Sequence, residues 1–332
     1  MAKVFITDRI KALTVETDIL ENHVTLEKDL NAEVLLVWHQ VVDKAYIDQF
    51  KNLKAIIRYG VGFDKVDIDY AASKGITVSN SPDYCTEEVS NTAIGMILNG
   101  TRRISQYNHE AKDYKQGWQE NVIKTIERDS NLTVGVVGAG RIGSNVLLKA
   151  KALGFKTSFY DPYATAGYEK VLNATRYESL EQLLESCDVI SVHVPLTRET
   201  RGMINTTFIE SMKEGSVLVN TSRGGVLESY DAIEHGLEKN TLANVFLDVL
   251  PEEPPTAHPL IDKWKANEIG VSERLFINPH SSYYSQAAGI EMRKKAALNA
   301  LGVIGGGKAQ NVVNQELIDG YFPQYGPSLM CR

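Results

Sequence analysis

Short apolar, β-branched runs recur through the first quarter of the chain, near residues 3–8, 33–38, 54–59 and 76–80, with charged stretches such as 43–52 and 67–75 between them. Runs of that length predict buried strands, and the charged stretches predict surface helices or turns, so this part reads as a small α/β unit. The signal returns at 133–137, 156–160, 188–194, 216–221, 243–249 and 274–278, with helical patterns between. Strands recurring every roughly 20–30 residues predict consecutive βα units and a doubly wound parallel sheet.

Two longer helical patterns frame that second series. One opens at Thr86-Glu87-Glu88, an acidic first turn, and carries Val89, Ala93, Met96 and Ile97 to about Ile104. The other spans 285–303 with Ile290, Ala297, Leu298 and Leu301 on one face, and Gly305-Gly306-Gly307 would end it. Both are expected to cross between domains. The pattern therefore predicts two Rossmann- or flavodoxin-like parallel-sheet domains with a cleft between them. Residues 105–299 would form a nucleotide domain inserted into a discontinuous substrate domain of 1–104 and 300–332. Residues 108–131, with an isolated Trp118 after Gly117, are polar and irregular, and the tail beyond about 318 is rich in Pro, Gly and Tyr.

The run at 132–137 empties into Gly138-x-Gly140-x-x-Gly143. There Gly138 would permit the tight turn, Gly140 the approach of a pyrophosphate and Gly143 close helix–strand packing. The N–H groups of Arg141, Ile142 and Gly143 would open the helix toward the phosphates. A ligand-free glycine turn has the same three residues, but the context favours a dinucleotide. An apolar helical face through Ile142, Val146, Leu147 and Leu153 follows, then Gly154 as a stop, then a second strand ending at Asp161. A carboxylate there would accept hydrogen bonds from the adenosine ribose, which favours NAD over NADP; the competing reading is a turn aspartate before Pro162.

Composition narrows the partners. Across 332 residues the formal net charge is -7, and 43% hydrophobic content suffices for two cores. Nucleic acid and anionic membranes are not expected partners, and Arg293-Lys294-Lys295 reads as a solvated helix face. Cys85, Cys187 and Cys331 have no C-x-x-C spacing, and reduced thiols in a cytoplasmic protein are expected. No histidine pair has metal-ligand spacing, so no metal is expected. Neither a signal peptide nor a membrane span is legible.

Ligands of open α/β sheets sit beyond the carboxyl ends of the strands, which makes the residues just after strands the place for chemistry. Arg58-Tyr59-Gly60-Val61-Gly62 ends one strand, either as a tight turn or as a loop whose amides are open to an anion. Val217–Val219 runs into Asn220-Thr221-Ser222-Arg223-Gly224-Gly225, the next strand holds Asp248 before Glu252-Glu253-Pro254, and the last ends in Asn278-Pro279-His280. Singly, Arg223 reads as a surface cation, Glu253 as a loop carboxylate and His280 as a turn histidine. On one sheet edge with the glycine loop they read as a site.

With these motifs in this order, the chain resembles the D-2-hydroxyacid dehydrogenase family. The resemblance adds His193-Val194-Pro195-Leu196-Thr197 with Glu199-Thr200-Arg201-Gly202, and it is strongest to the C-terminal-binding-protein branch, through Arg58 with Gly62-Phe63-Asp64 and Tyr284-Ser285 with Ile290-Glu291-Met292-Arg293. Trp38-His39 falls where that branch has an aromatic residue followed by histidine, and Tyr283 stands where it has tryptophan. The resemblance implies a 2-oxo acid reductase in which His280 donates the proton, Glu253 supports it, and Arg223 binds the substrate carboxylate, aided by the Tyr59–Gly62 amides. It further implies that Thr86, His193, Val194, Pro195, Thr221, Ser222 and Asp248 contact NAD. Trp38, His39 and Tyr283 would face the substrate side chain, and a homodimer would form through the nucleotide domain. Two alternatives remain at this point: an NAD(H)-sensing corepressor-like interaction protein and a phosphite dehydrogenase on the same fold.

Overall fold

The structure is a computed structural model that describes residues 3–10, 12–112, 118–123 and 126–320. Cys331 and nearly all of the Pro- and Tyr-rich tail lie outside the described residues, as does Gly117. The chain divides into two compact units, residues 1–85 with 284–332, and residues 86–283.

In the first unit, β1 (Val4–Ile6), β2 (Val24–Thr25), β3 (Val34–Val37), β4 (Ala55–Arg58) and β5 (Thr77–Ser79) form a parallel sheet in the order β2-β1-β3-β4-β5. Strands β3 and β4 are buried throughout, which is why they read as continuous apolar runs rather than as alternation. In the second unit, β6 (Thr133–Val137), β7 (Lys156–Tyr160), β8 (Thr175–Arg176), β9 (Val189–Val192), β10 (Ser216–Asn220), β11 (Leu242–Leu247) and β12 (Leu275–Ile277) are also all parallel. Their order, β12-β11-β10-β9-β6-β7-β8, reverses direction beside β6. That point, where β6 and β9 lie side by side and their following loops diverge, is where a doubly wound sheet opens a crevice for a ligand.

All ten strands expected from the apolar runs are present; the two-residue β2 and β8 carry too short a signal to be read. The units part at 85/86 and 283/284, where the sequence pattern had put 104/105 and 299/300. Packing explains the difference. The helix Thr86–Arg102 buries Val89, Ala93, Met96 and Ile97, three of them in the core that holds Val136, Val217 and Phe246 of the second sheet. The helix Gln286–Ile304 packs on the helix Thr14–Leu20 and on β3 and β4 of the first. Its buried face also differs from the expected one: Ala288, Met292, Ala296, Ala297, Ala300 and Val303 are inside, whereas Ile290, Leu298 and Leu301 are exposed. Small side chains let a helix approach its neighbours closely, so alanines outcompete the larger residues for the inner face. Leu153, expected on the inner face of its helix, is likewise exposed, because that helix ends at Ala152. Among the described residues, no helix is long and apolar enough to cross a membrane, and no His, Cys, Asp and Glu cluster suits a metal ion.

Candidate active site

Gly138 has φ +89 and donates its N–H to Tyr160 O at 2.9 Å, so the chain turns back immediately after β6. A Cβ on Gly138 would lie 2.9 Å from His193 O, and one on Gly143 only 2.0 Å from Gly138 O. The two positions accept no side chain. Gly140 caps the helix Arg141–Ala152 without a side-chain bond, and the N–H groups of Arg141, Ile142 and Gly143 have no acceptor among the described residues. Such a helix start, with open donors and a glycine-lined approach, suits a pyrophosphate. Asp161 at the end of β7 leans onto this loop: one carboxylate oxygen accepts from Ala139 N and the other from Tyr163 N, each at 2.9 Å. Asp161 thus makes the turn before Pro162, as the turn-aspartate reading has it, and also holds the glycine loop.

Beyond β9, His193 shares hydrogen bonds with Ser191 Oγ at 2.8 Å and Thr221 Oγ1 at 3.4 Å. Desolvation of its ring pushes its pKa down to about 3, leaving the imidazole neutral. Val194 touches the Gly138 position, Pro195 lies exposed, and Pro195 O accepts from Thr200 Oγ1. Thr86, at the start of its helix, accepts the Ser90 hydroxyl on its carbonyl at 2.6 Å.

The loop after β10 is organised by Asn220, which the sequence did not mark as a site residue. Wholly buried, it accepts the N–H and hydroxyl of Ser222 at 3.0 and 2.7 Å and donates to Arg223 O at 3.2 Å. Its place at a strand end was the available signal. Arg223 Nη1 donates to Ser222 O at 2.7 Å. A Cβ on Gly224 would lie 1.7 Å from Leu250 O, so glycine there brings the Arg223 loop against the backbone leading to Glu253.

His280 and Glu253 meet directly, Nδ1 to Oε2 at 2.8 Å, while Glu253 Oε1 accepts Leu250 N at 3.0 Å. Burial pulls the Glu253 carboxyl up, but the His280 hydrogen bond, the Leu250 N–H and the charges of His280 and Arg223 outweigh it and hold the group below the usual carboxylate range. His280 Nε2 has no partner among the described residues, and the Tyr283 ring stands edge-on to the imidazole at 5.9 Å. Asp248, expected at the cofactor, also positions the loop of His280: its buried carboxylate accepts the N–H groups of Ser281 and Ser282 at 3.0 to 3.2 Å, and its carbonyl accepts His280 N at 2.8 Å.

In the first unit the Tyr59 contribution differs from expectation. Its N–H is donated to Val37 O at 2.9 Å in the strand ladder, and its fully buried hydroxyl donates to Glu16 at 2.9 Å, so neither group is open to a substrate. The N–H groups of Gly60, Val61 and Gly62 do lack acceptors among the described residues. Arg58 holds that loop from beneath, donating to Gly62 O at 2.7 Å and to the Val37 and Trp38 carbonyls. Trp38 and His39 stack at 5.0 Å, their N–H groups held by Asp8 at 2.8 and 2.7 Å. Asp8 follows β1, a strand end the sequence reading passed over.

A family model described as "D-isomer specific 2-hydroxyacid dehydrogenase, NAD binding domain" matches residues 94–282. The chain is 33% identical over 330 residues to the D-3-phosphoglycerate dehydrogenase of Methanocaldococcus jannaschii, covering 95% of this chain but spanning only 60% of that protein's length. Over 295 residues it is 32% identical to the glyoxylate reductase of Korarchaeum cryptofilum, covering 88% and 85% of the two chains. The crystal structure of Aquifex aeolicus D-lactate dehydrogenase complexed with NAD and lactic acid matches with a TM-score of 0.79 at 27% identity, covering 97% and 99%.

Proposed function

The chain belongs to the D-isomer specific 2-hydroxyacid dehydrogenase family, and on that premise we propose that it reduces a small 2-oxo acid to the D-2-hydroxy acid at the expense of NADH. The observation that carries this is the Glu253–His280 pair with Nε2 of His280 unpartnered, on the same sheet edge as the open amides of 141–143. NADH bound at those amides would supply the hydride. The chain's own residues do the rest. His280 holds a proton at Nε2 for the carbonyl oxygen, and the ionised Glu253 fixes the ring through Nδ1. Arg223 offers a planar pair of donors for a carboxylate, with the charge that polarises the carbonyl.

The same reading assigns Gly60, Val61, Gly62, Trp38, His39 and Tyr283 to the substrate. Trp38 provides an apolar wall suited to a branched or thioether side chain of a few carbons. Oxo acids such as 4-methyl- and 4-methylthio-2-oxo acids should therefore be reduced with higher kcat/KM than phosphohydroxypyruvate, in a screen following NADH absorbance. Preference for phosphohydroxypyruvate would overturn that assignment, and no NADH oxidation with any 2-oxo acid would overturn the function itself.

A further inference from the structure

The order β9-β6-β7 sets the glycine loop, which follows β6, between the loops that follow β9 and β7. The two outer strands are about 10 Å apart, twice the strand spacing. Their loops are nevertheless joined: the Tyr163 hydroxyl, two residues past Asp161, donates to the Glu199 carboxylate. The bond thus links the two loops that flank the loop after β6. Nearer the sheet, the same two loops lie directly on the glycine turn, through Asp161 on Ala139 N and His193 O beside Gly138. The Tyr163–Glu199 bond joins the same two loops farther along the chain from the strand ends. Both residues are largely exposed at their other faces, so no core packing accounts for the pairing. Desolvation and the nearby carboxylate push the Tyr163 hydroxyl up to about 12, so it keeps its donor proton throughout the working range.

We propose that Tyr163 and Glu199 form a strap across the adenosine half of the dinucleotide groove, and that opening it limits entry and departure of the cofactor. The inference rests on the dinucleotide reading of the glycine loop. A strap that is closed both with and without ligand slows the two directions alike and leaves the equilibrium unchanged. That separates it from a residue that merely touches the bound ligand, whose loss speeds departure alone. Where cofactor release limits turnover, the strap also sets kcat.

Stopped-flow measurement of NADH binding to the full chain, by energy transfer from protein tryptophan, tests this. Tyr163→Phe is expected to raise both kon and koff by about three- to tenfold, the range for one partly exposed charged hydrogen bond, with Kd changed less than twofold. Glu199→Ala should do the same, and the double variant should be no faster than either single one. A rise in koff alone, additive effects of the two substitutions, or unchanged rates would each overturn the strap. Absence of NADH binding by the unmodified protein would instead overturn the cofactor reading beneath it.

Discussion

His280 has φ +52, a left-handed conformation that for a non-glycine residue costs about 1–3 kcal/mol and persists only where its surroundings enforce it. Asp248 does so by accepting the N–H groups of His280, Ser281 and Ser282, and the gain is an imidazole whose Nδ1 meets Glu253 while Nε2 points away from it. The Glu253 carboxyl is held below its ordinary 4.5, so its support for His280 is fully present above that pH and is lost as pH falls through the depressed value. Glu253→Gln should lower kcat by about 10- to 100-fold at neutral pH and abolish that acid limb; wild-type kcat with the limb intact would remove Glu253 from the mechanism. His193 behaves oppositely in origin but alike in sign. Its pKa falls from 6.5 to about 3 on folding, so the unfolded chain binds the extra proton and stability declines as pH drops below 6.5. Between pH 6.5 and 5 that slope amounts to roughly 2 kcal/mol, and denaturant titrations of His193→Gln should lack it whatever the variant's absolute stability. For cofactor choice, Asp161→Asn removes the charge while keeping an acceptor for the loop. It should narrow the NADH-over-NADPH ratio of kcat/KM by about tenfold or more, as one unfavourable charge contact is relieved.

At the scale of elements, the glycine turn is where geometry tolerates least. Gly143→Ala places a Cβ against Gly138 O, and should destabilise the protein by about 3 kcal/mol and abolish NADH binding. Gly95→Ala, in the helix Thr86–Arg102 with nothing within 4 Å, should instead stabilise by about 0.5–1 kcal/mol. Urea titration distinguishes the two, and equal effects would contradict the close packing at the turn. These elements were legible because their physics is local. A buried parallel strand needs an unbroken apolar run, and a strand-to-helix turn over a close neighbour needs glycine. Inner helix faces were harder to read, since the choice of Ala296 and Ala300 over Leu298 and Leu301 depends on how near a neighbouring element lies. Tyr59 illustrates the limit at a site: its residue type suits a binding loop, but the ladder to Val37 and the buried Glu16, distant in sequence, decide where its groups go.

Across the whole molecule, the glycine loop, Arg223, Glu253 and His280 all belong to the unit of residues 86–283, so in the proposed function cofactor binding and proton donation would share one scaffold. The order of strands beside β6 places them on one edge of a parallel sheet built from the βα units the spacing predicted. The boundaries of that unit were less legible, because a long helix between two domains carries no mark of the sheet it packs on. A histidine that donates the proton while amides elsewhere on the edge hold the cofactor makes binding and chemistry separable. The most direct measurement is therefore on His280→Ala, comparing NADH affinity with single-turnover NADH oxidation in the presence of the best 2-oxo acid. NADH affinity within about threefold of the unmodified protein, together with oxidation slowed by about 10²- to 10⁴-fold, is the predicted result. Oxidation at an undiminished rate would contradict the account.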